Sequence, residues 1–89
     1  MQMKISDRSK GQGIAPGSLS TAQFDCLIEL SDVRSDSVIA ALSDYCVFGE
    51  KKATASSSRG IQPSAFSRAF RSICRVHSAV ERYIYASKG

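Results

Sequence analysis

The 89-residue chain has no tryptophan, two prolines and a single histidine, His77. His77 falls in an apolar stripe and is expected to serve packing or an interface, so no triad, histidine metal cluster or relay assembles around it. The three cysteines, Cys26, Cys46 and Cys74, are odd in number and widely spaced. They form no Cys-x-x-Cys pair, which argues against a disulfide framework or a zinc site. Each lies in a predicted helix and is expected to be buried or partly buried as a small hydrophobe, in keeping with a reducing compartment. No apolar run approaches the roughly 20 residues that cross a bilayer. No apolar stretch precedes a cleavage site near the N-terminus, so no signal peptide is read and a cytoplasmic location is expected.

Chemistry is also missing. The chain has no glycine-rich phosphate loop, and Ser56, Ser57 and Ser58 lack a paired general base. Asp25, Glu29, Asp32 and Asp36 lack the spacing of a calcium loop. They are expected to form a solvated acidic face, or one that docks against a neighbouring protomer's basic helix. The length suits one small domain without a catalytic lobe. The expectation is a non-enzyme with no cofactor and no metal.

What the chain does have is segregated charge. The net charge of +4 divides into +2 over residues 1–19, −5 over 20–50 and +7 over 51–89. A polyanion-facing segment has this pattern. A basic surface that merely aids solubility is the plain alternative.

Residues 1–18 contain Gly11, Gly13, Pro16 and Gly17 with little apolar periodicity, and are expected to form a flexible basic arm carrying Lys4, Arg8 and Lys10. Order is expected to begin near Ser18 to Ser20. Ser20 can cap a first helix whose buried face is Phe24, Leu27 and Ile28. A second helix starts at Ser35 with Asp36 in its first turn, carries Val38, Ile39, Leu42, Tyr45 and Cys46 inward, and ends at Phe48-Gly49. A third, about Lys51 to Arg59, is weak in propensity because its serines compete for backbone hydrogen bonds. It needs Ala53, Ala55 or Ser56 packed against neighbours. Pro63 opens a last helix of about twenty residues, with Phe66, Phe70, Ile73, His77, Val80 and Ile84 on one stripe, widened by Ala69, Val76 and Tyr83. The fold class is therefore all-α: a small bundle of four to five helices containing a helix-turn-helix, with residues 19–89 as the DNA-binding domain.

The segment from Gly49 to Arg71 carries the functional reading. A helix-turn-helix needs a small face on its first helix, a glycine in the turn, an apolar plug after it and a second helix with polar residues outward. Ala55 and Ser56 supply the small face, Gly60 the turn and Ile61 the plug. Phe66, Ala69 and Phe70 point inward, leaving Gln62, Ser64, Ser67, Arg68 and Arg71 outward. A plain helical hairpin can produce the same text. Lys51 and Lys52 can reach a phosphate backbone, and Arg68, Arg71 and Arg75 can line one side of the last helix. Backbone N–H groups near Ser64 and Ala65 add a phosphate-binding feature. The candidate DNA-binding set is Lys51, Lys52, Ser56, Arg59, Gln62, Ser64, Ser67, Arg68, Arg71 and Arg75.

Two stretches, LIELSDVRSDSVIAALSDY from Leu27 to Tyr45 and GIQPSAFSRAF from Gly60 to Phe70, resemble the PapB-type regulators of bacterial pilus and fimbrial adhesin operons. The resemblance runs from about Leu19 to Tyr85. It implies a cytoplasmic, nucleoid-associated regulator that assembles as oligomers along AT-rich DNA and controls adhesin expression. It also implies that Lys52 and Ser56 occupy helix positions that matter for DNA engagement. The chain departs from the family in Ala-Thr-Ala-Ser-Ser-Ser before Arg59, where charged residues are usual, and in Gln62, a poor cap; Ser64 is an alternative cap.

Two modes of engagement fit. The second helix can enter the major groove, or T-rich repeats can be met through minor-groove contacts and shape, with the basic arm contributing. The partners expected are double-stranded AT-rich DNA and further copies of the chain, with no membrane and no small-molecule ligand. The competing class is a helical module that binds another regulator and not DNA. The last stripe belongs to the core, with its outer end near Val80, Tyr83 and Ile84 sharing in self-association.

Overall fold

The computed structural model describes residues 13–88 and contains, among them, four helices and no strand. These are α1 (Thr21–Leu30), α2 (Asp36–Cys46), α3 (Lys52–Ser58) and α4 (Pro63–Lys88).

Local signals set the helix starts. The Ser20 hydroxyl accepts from the Gln23 N–H at 3.1 Å while the Gln23 side chain accepts from the Ser20 N–H at 2.8 Å. This capping box satisfies two free N–H groups at the start of α1. Ser35 caps α2 and Asp36 occupies its first turn, as the sequence indicates. α1 closes differently. The Arg34 guanidinium folds back and donates from Nη1 to the carbonyls of Ser31 at 3.0 Å and Val33 at 2.8 Å. Carbonyls past a helix end, which have no helical partner, thereby gain a cationic donor.

Phe24 and Leu27 of α1, Leu42, Tyr45 and Cys46 of α2, and Phe66 and Ile73 of α4 form the centre of the core. Ala55 and Ser56 are the buried face of α3. With no larger atoms on these positions, a seven-residue helix approaches α2 and α4 closely enough to be held by packing. Its serines donate back to carbonyls three residues earlier, such as Ser56 to Ala53 at 3.2 Å, so helix propensity contributes little.

Gly60 adopts φ +68° after α3. The Ile61 N–H donates to the Ser56 carbonyl at 2.8 Å and the Gly60 N–H to the Ser57 carbonyl at 3.1 Å. This paired closure requires a left-handed residue at Gly60. Ile61 is half-buried behind it. Pro63 then starts α4, placing Ser64 inside the first turn and not at the cap.

Several expectations change. The boundary at residue 18 moves toward the N-terminus, although residues 1–12 lie outside the described part. Ile14 is buried at 4% exposure, and its carbonyl accepts from the Tyr45 hydroxyl at 3.0 Å. The N–H groups of Gly17 and Leu19 donate to the carbonyls of Tyr45 and Cys46 at 2.9 and 3.1 Å. The segment after Gly13 is therefore stapled to the carbonyl end of α2: the Tyr45 carbonyl, which also accepts from the Gly49 N–H at 3.2 Å, gains a second donor, and the Cys46 carbonyl gains the Leu19 N–H. Cys26 is exposed: it lies roughly 200° around α1 from Phe24, because each residue advances about 100°. Ala53 faces solvent. α4 has 26 residues, longer than about twenty. Its final turns leave the core, so Ile84 at the end of the stripe and Tyr83 beside it are not buried but 49% and 74% exposed.

Candidate nucleic-acid interface

The outward flank of α4 is built by the same periodicity that buries its inward stripe. Phe66 and Ile73 are buried and Ala69 and Phe70 half-buried, whereas Ser64, Ser67, Arg68, Arg71 and Arg75 are exposed. At about 100° per residue, those five positions fall within roughly a 100° arc opposite the core. Among the described residues no carboxylate pairs with Arg68, Arg71 or Arg75. The flank is short-chained near Pro63 and cationic further along. Gln62 is exposed just before it and Lys51 just ahead of α3.

Other expected site residues sit differently. The Lys52 ammonium lies over the Phe70 ring at 4.2 Å and at 5.5 Å from the Tyr45 ring centre. A cation over aromatic faces is attracted by the ring quadrupoles, so Lys52 ties α3 to α2 and α4. Ser56 is 5% exposed and its hydroxyl donates to the Ala53 carbonyl. It belongs to the helix contact, not the outer surface. The Arg59 guanidinium donates to both carboxylate oxygens of Asp44, at 2.9 and 3.2 Å. These bonds hold its pKa above the ordinary arginine value, with the Asp44 charge adding to the effect. The structure thus brings Ser64, Ser67, Arg68, Arg71 and Arg75 together, leaves Lys51 and Gln62 nearby, and turns Lys52, Ser56 and Arg59 toward the protein.

Three titratable groups packed in or against the core are pushed toward their neutral forms. Burial pushes the Cys46 thiol up to about 12, against a smaller opposite pull from Lys52. Burial likewise raises Cys74, with an opposing backbone hydrogen bond at Ile14, and raises Tyr45. A thiol held neutral is a poor nucleophile and a poor metal ligand. Among the described residues no three His, Cys, Asp or Glu side chains gather as a metal site, and no helix is long and apolar enough to cross a membrane.

Arg34 is an exposed cation that the sequence reading left out of the candidate set. It lies with Arg68 and Arg75 along one groove. Its isolation within an acidic segment was the available signal.

Comparison with known proteins identifies the family and agrees with the all-helical fold. The family model described as the adhesin biosynthesis transcription regulatory protein, PapB, matches residues 1–86. The F1845 adhesin operon regulatory protein of Escherichia coli is 38% identical over 68 residues, covering 76% of this chain and 80% of the relative. The AFA-III adhesin operon regulatory protein of Escherichia coli is 38% identical over 74 residues, covering 82% and 73%. The crystal structure of E. coli FocB, at 1.4 Å, superposes with a TM-score of 0.78 at 30% identity, covering 83% of this chain and 84% of that one.

Proposed function

The chain belongs to the PapB family of adhesin biosynthesis transcription regulatory proteins, and from that membership we propose that it regulates adhesin genes by binding double-stranded, AT-rich DNA through the outer flank of α4. The unit from α3 through Gly60 into α4 serves as the helix-turn-helix. The observation that carries this reading is the cationic row Arg68, Arg71 and Arg75, unpaired among the described residues and continuous with the small polar residues Ser64 and Ser67. Phosphates take the arginines and supply most of the affinity. Ser64, Ser67 and Gln62 are short enough to let the helix approach base edges or a narrowed groove, and supply preference.

The other expected residues divide by role. Lys51 adds a phosphate contact at the start of α3. Lys52 and Ser56 act through the seating of α3, and Arg59 through its tie to Asp44. In residues 1–18 the basic Lys4, Arg8 and Lys10 extend the electrostatic footprint. The exposed end of α4, with Tyr83, Ile84 and Tyr85, is the face for self-association. Several copies along a regulatory region then combine modest individual affinities. The protein works on the nucleoid, in the cytoplasm.

A gel-shift assay on an AT-rich duplex and a GC-rich one, at two salt concentrations, tests the reading. Binding that prefers the AT-rich duplex and weakens steeply with salt is expected. A folded protein that binds neither duplex at low salt belongs to the competing class, a module for another regulator.

A further inference from the structure

A groove of about 380 Å³ runs between the α1–α2 connection and the side of α4. Arg34 and Ser35 enter it from the connection, and Arg68, Ser72 and Arg75 enter it from α4. Arg34 is anchored, since Nη1 alone makes its bonds to the backbone carbonyls. A guanidinium has five N–H donors, so its Nε and Nη2 donors stay unspent among the described residues. Arg68 and Arg75 have no carboxylate partner there either. One carboxylate, Asp32, does line the groove. Its Oδ1 accepts from the Ser72 hydroxyl at 3.2 Å, and none of the three arginines forms an ion pair with it.

Three guanidinium groups from two separate parts of the chain therefore share one groove with a single carboxylate, and among the described residues none of the three is ion-paired. Their mutual repulsion is relieved by a ligand with several acceptor oxygens disposed around one centre. Guanidinium forks match such oxygens bidentately. A carboxylate's two oxygens are coplanar and serve one fork well; phosphate oxygens are disposed tetrahedrally, two of them non-bridging in a diester and more in a free phosphate, and can meet forks that arrive from different directions. We propose that this groove binds a phosphate group, bridged by Arg34, Arg68 and Arg75, with Asp32 limiting its affinity. Arg68 borders both the groove and the flank proposed for DNA, so a backbone phosphodiester is one owner of the group and a free phosphate is the other. Only the owner's identity rests on the DNA reading.

The test is nitrogen-15 NMR of the full chain, following arginine Nε–Hε signals and the Ser35 and Asp36 amides. Inorganic phosphate is titrated first and an AT-rich duplex separately. Saturable shifts of Arg34, Arg68 and Arg75 with inorganic phosphate are expected. Arg75→Gln weakens that binding by about fivefold or more and Asp32→Asn tightens it by about twofold or more, as like-sign and opposite-sign neighbours should. If the duplex moves the same signals, the phosphate belongs to DNA. If only inorganic phosphate moves them, the site takes a free phosphate. Absent or unsaturable shifts in the groove with both ligands, or full affinity in a folded Arg75→Gln protein, overturn the proposal. The DNA reading survives that result if the duplex still moves Ser67 and Arg71, and it alone fails if phosphate fills the groove while the duplex binds nowhere.

Discussion

Asp44, in the last turns of α2, accepts two hydrogen bonds from Arg59, the residue that ends α3, at 2.9 and 3.2 Å. One carboxylate thus fixes the turn between α3 and α4 to the preceding helix. Arg59→Ala is expected to lower DNA affinity only modestly, more at low salt than at high salt, because it costs one screened charge and no phosphate contact. Asp44→Asn releases that guanidinium and removes a negative charge, so affinity is expected to rise modestly at low salt and not at high salt. Fluorescence anisotropy with a labelled AT-rich duplex measures both. A large loss of binding in Arg59→Ala would place Arg59 on the DNA.

The two glycine turns should respond unequally to alanine. Gly60 is at φ +68° with open space where a Cβ would go, so Gly60→Ala is expected to cost only the backbone penalty, about 1 kcal/mol. Gly17 is at φ +67°, and its Cβ would meet the Gly49 Cα at 3.3 Å. Gly17→Ala therefore adds backbone crowding and is expected to cost more than Gly60→Ala. Urea unfolding of the two variants decides the order. Equal midpoints would mean that the segment after Gly13 contributes little to stability.

The Cys46 thiol, raised by burial to about 12 from an ordinary 9.0, stabilises the fold fully below the ordinary value. That contribution declines as pH rises from there through about 12, because only the unfolded chain ionises readily. Stability above pH 9 should therefore fall more steeply in the parent than in Cys46→Ala. Thermal unfolding across an alkaline pH series reads this directly. At neutral pH a thiol-reactive disulfide reagent should modify the exposed Cys26 at once and Cys46 only on unfolding. Simultaneous modification of both in the folded protein would contradict the buried placement.

Much of this architecture was legible in the sequence because short-range rules set it. Ser20, Ser35 and Pro63 mark helix starts, and Gly49 and Gly60 mark closures, through their own backbone and side-chain chemistry. The α4 flank follows from spacing alone. What the sequence hid depends on long-range contacts. A glycine-rich stretch reads as mobile, yet Ile14 and Gly17 are held by Tyr45, about thirty residues away along the chain. Arg59 and Lys52 count as free cations in a linear reading, until Asp44 and the Phe70 ring come beside them. Cys26 misled because a cysteine is often buried, while its angular position on α1 says otherwise. Arg34 joins Arg68 and Arg75 only once the α1–α2 connection folds against α4.

On the proposed function, Arg68 and Arg71 meet DNA phosphates from the outer flank of α4. The direct measurement is the dependence of duplex affinity on salt for the parent and for Arg68→Gln/Arg71→Gln, with helicity followed by circular dichroism. Unchanged helicity, an affinity loss of about tenfold or more at low salt, and a log–log salt slope shallower by about two are expected. A fully folded double variant with parental affinity and slope would contradict that function.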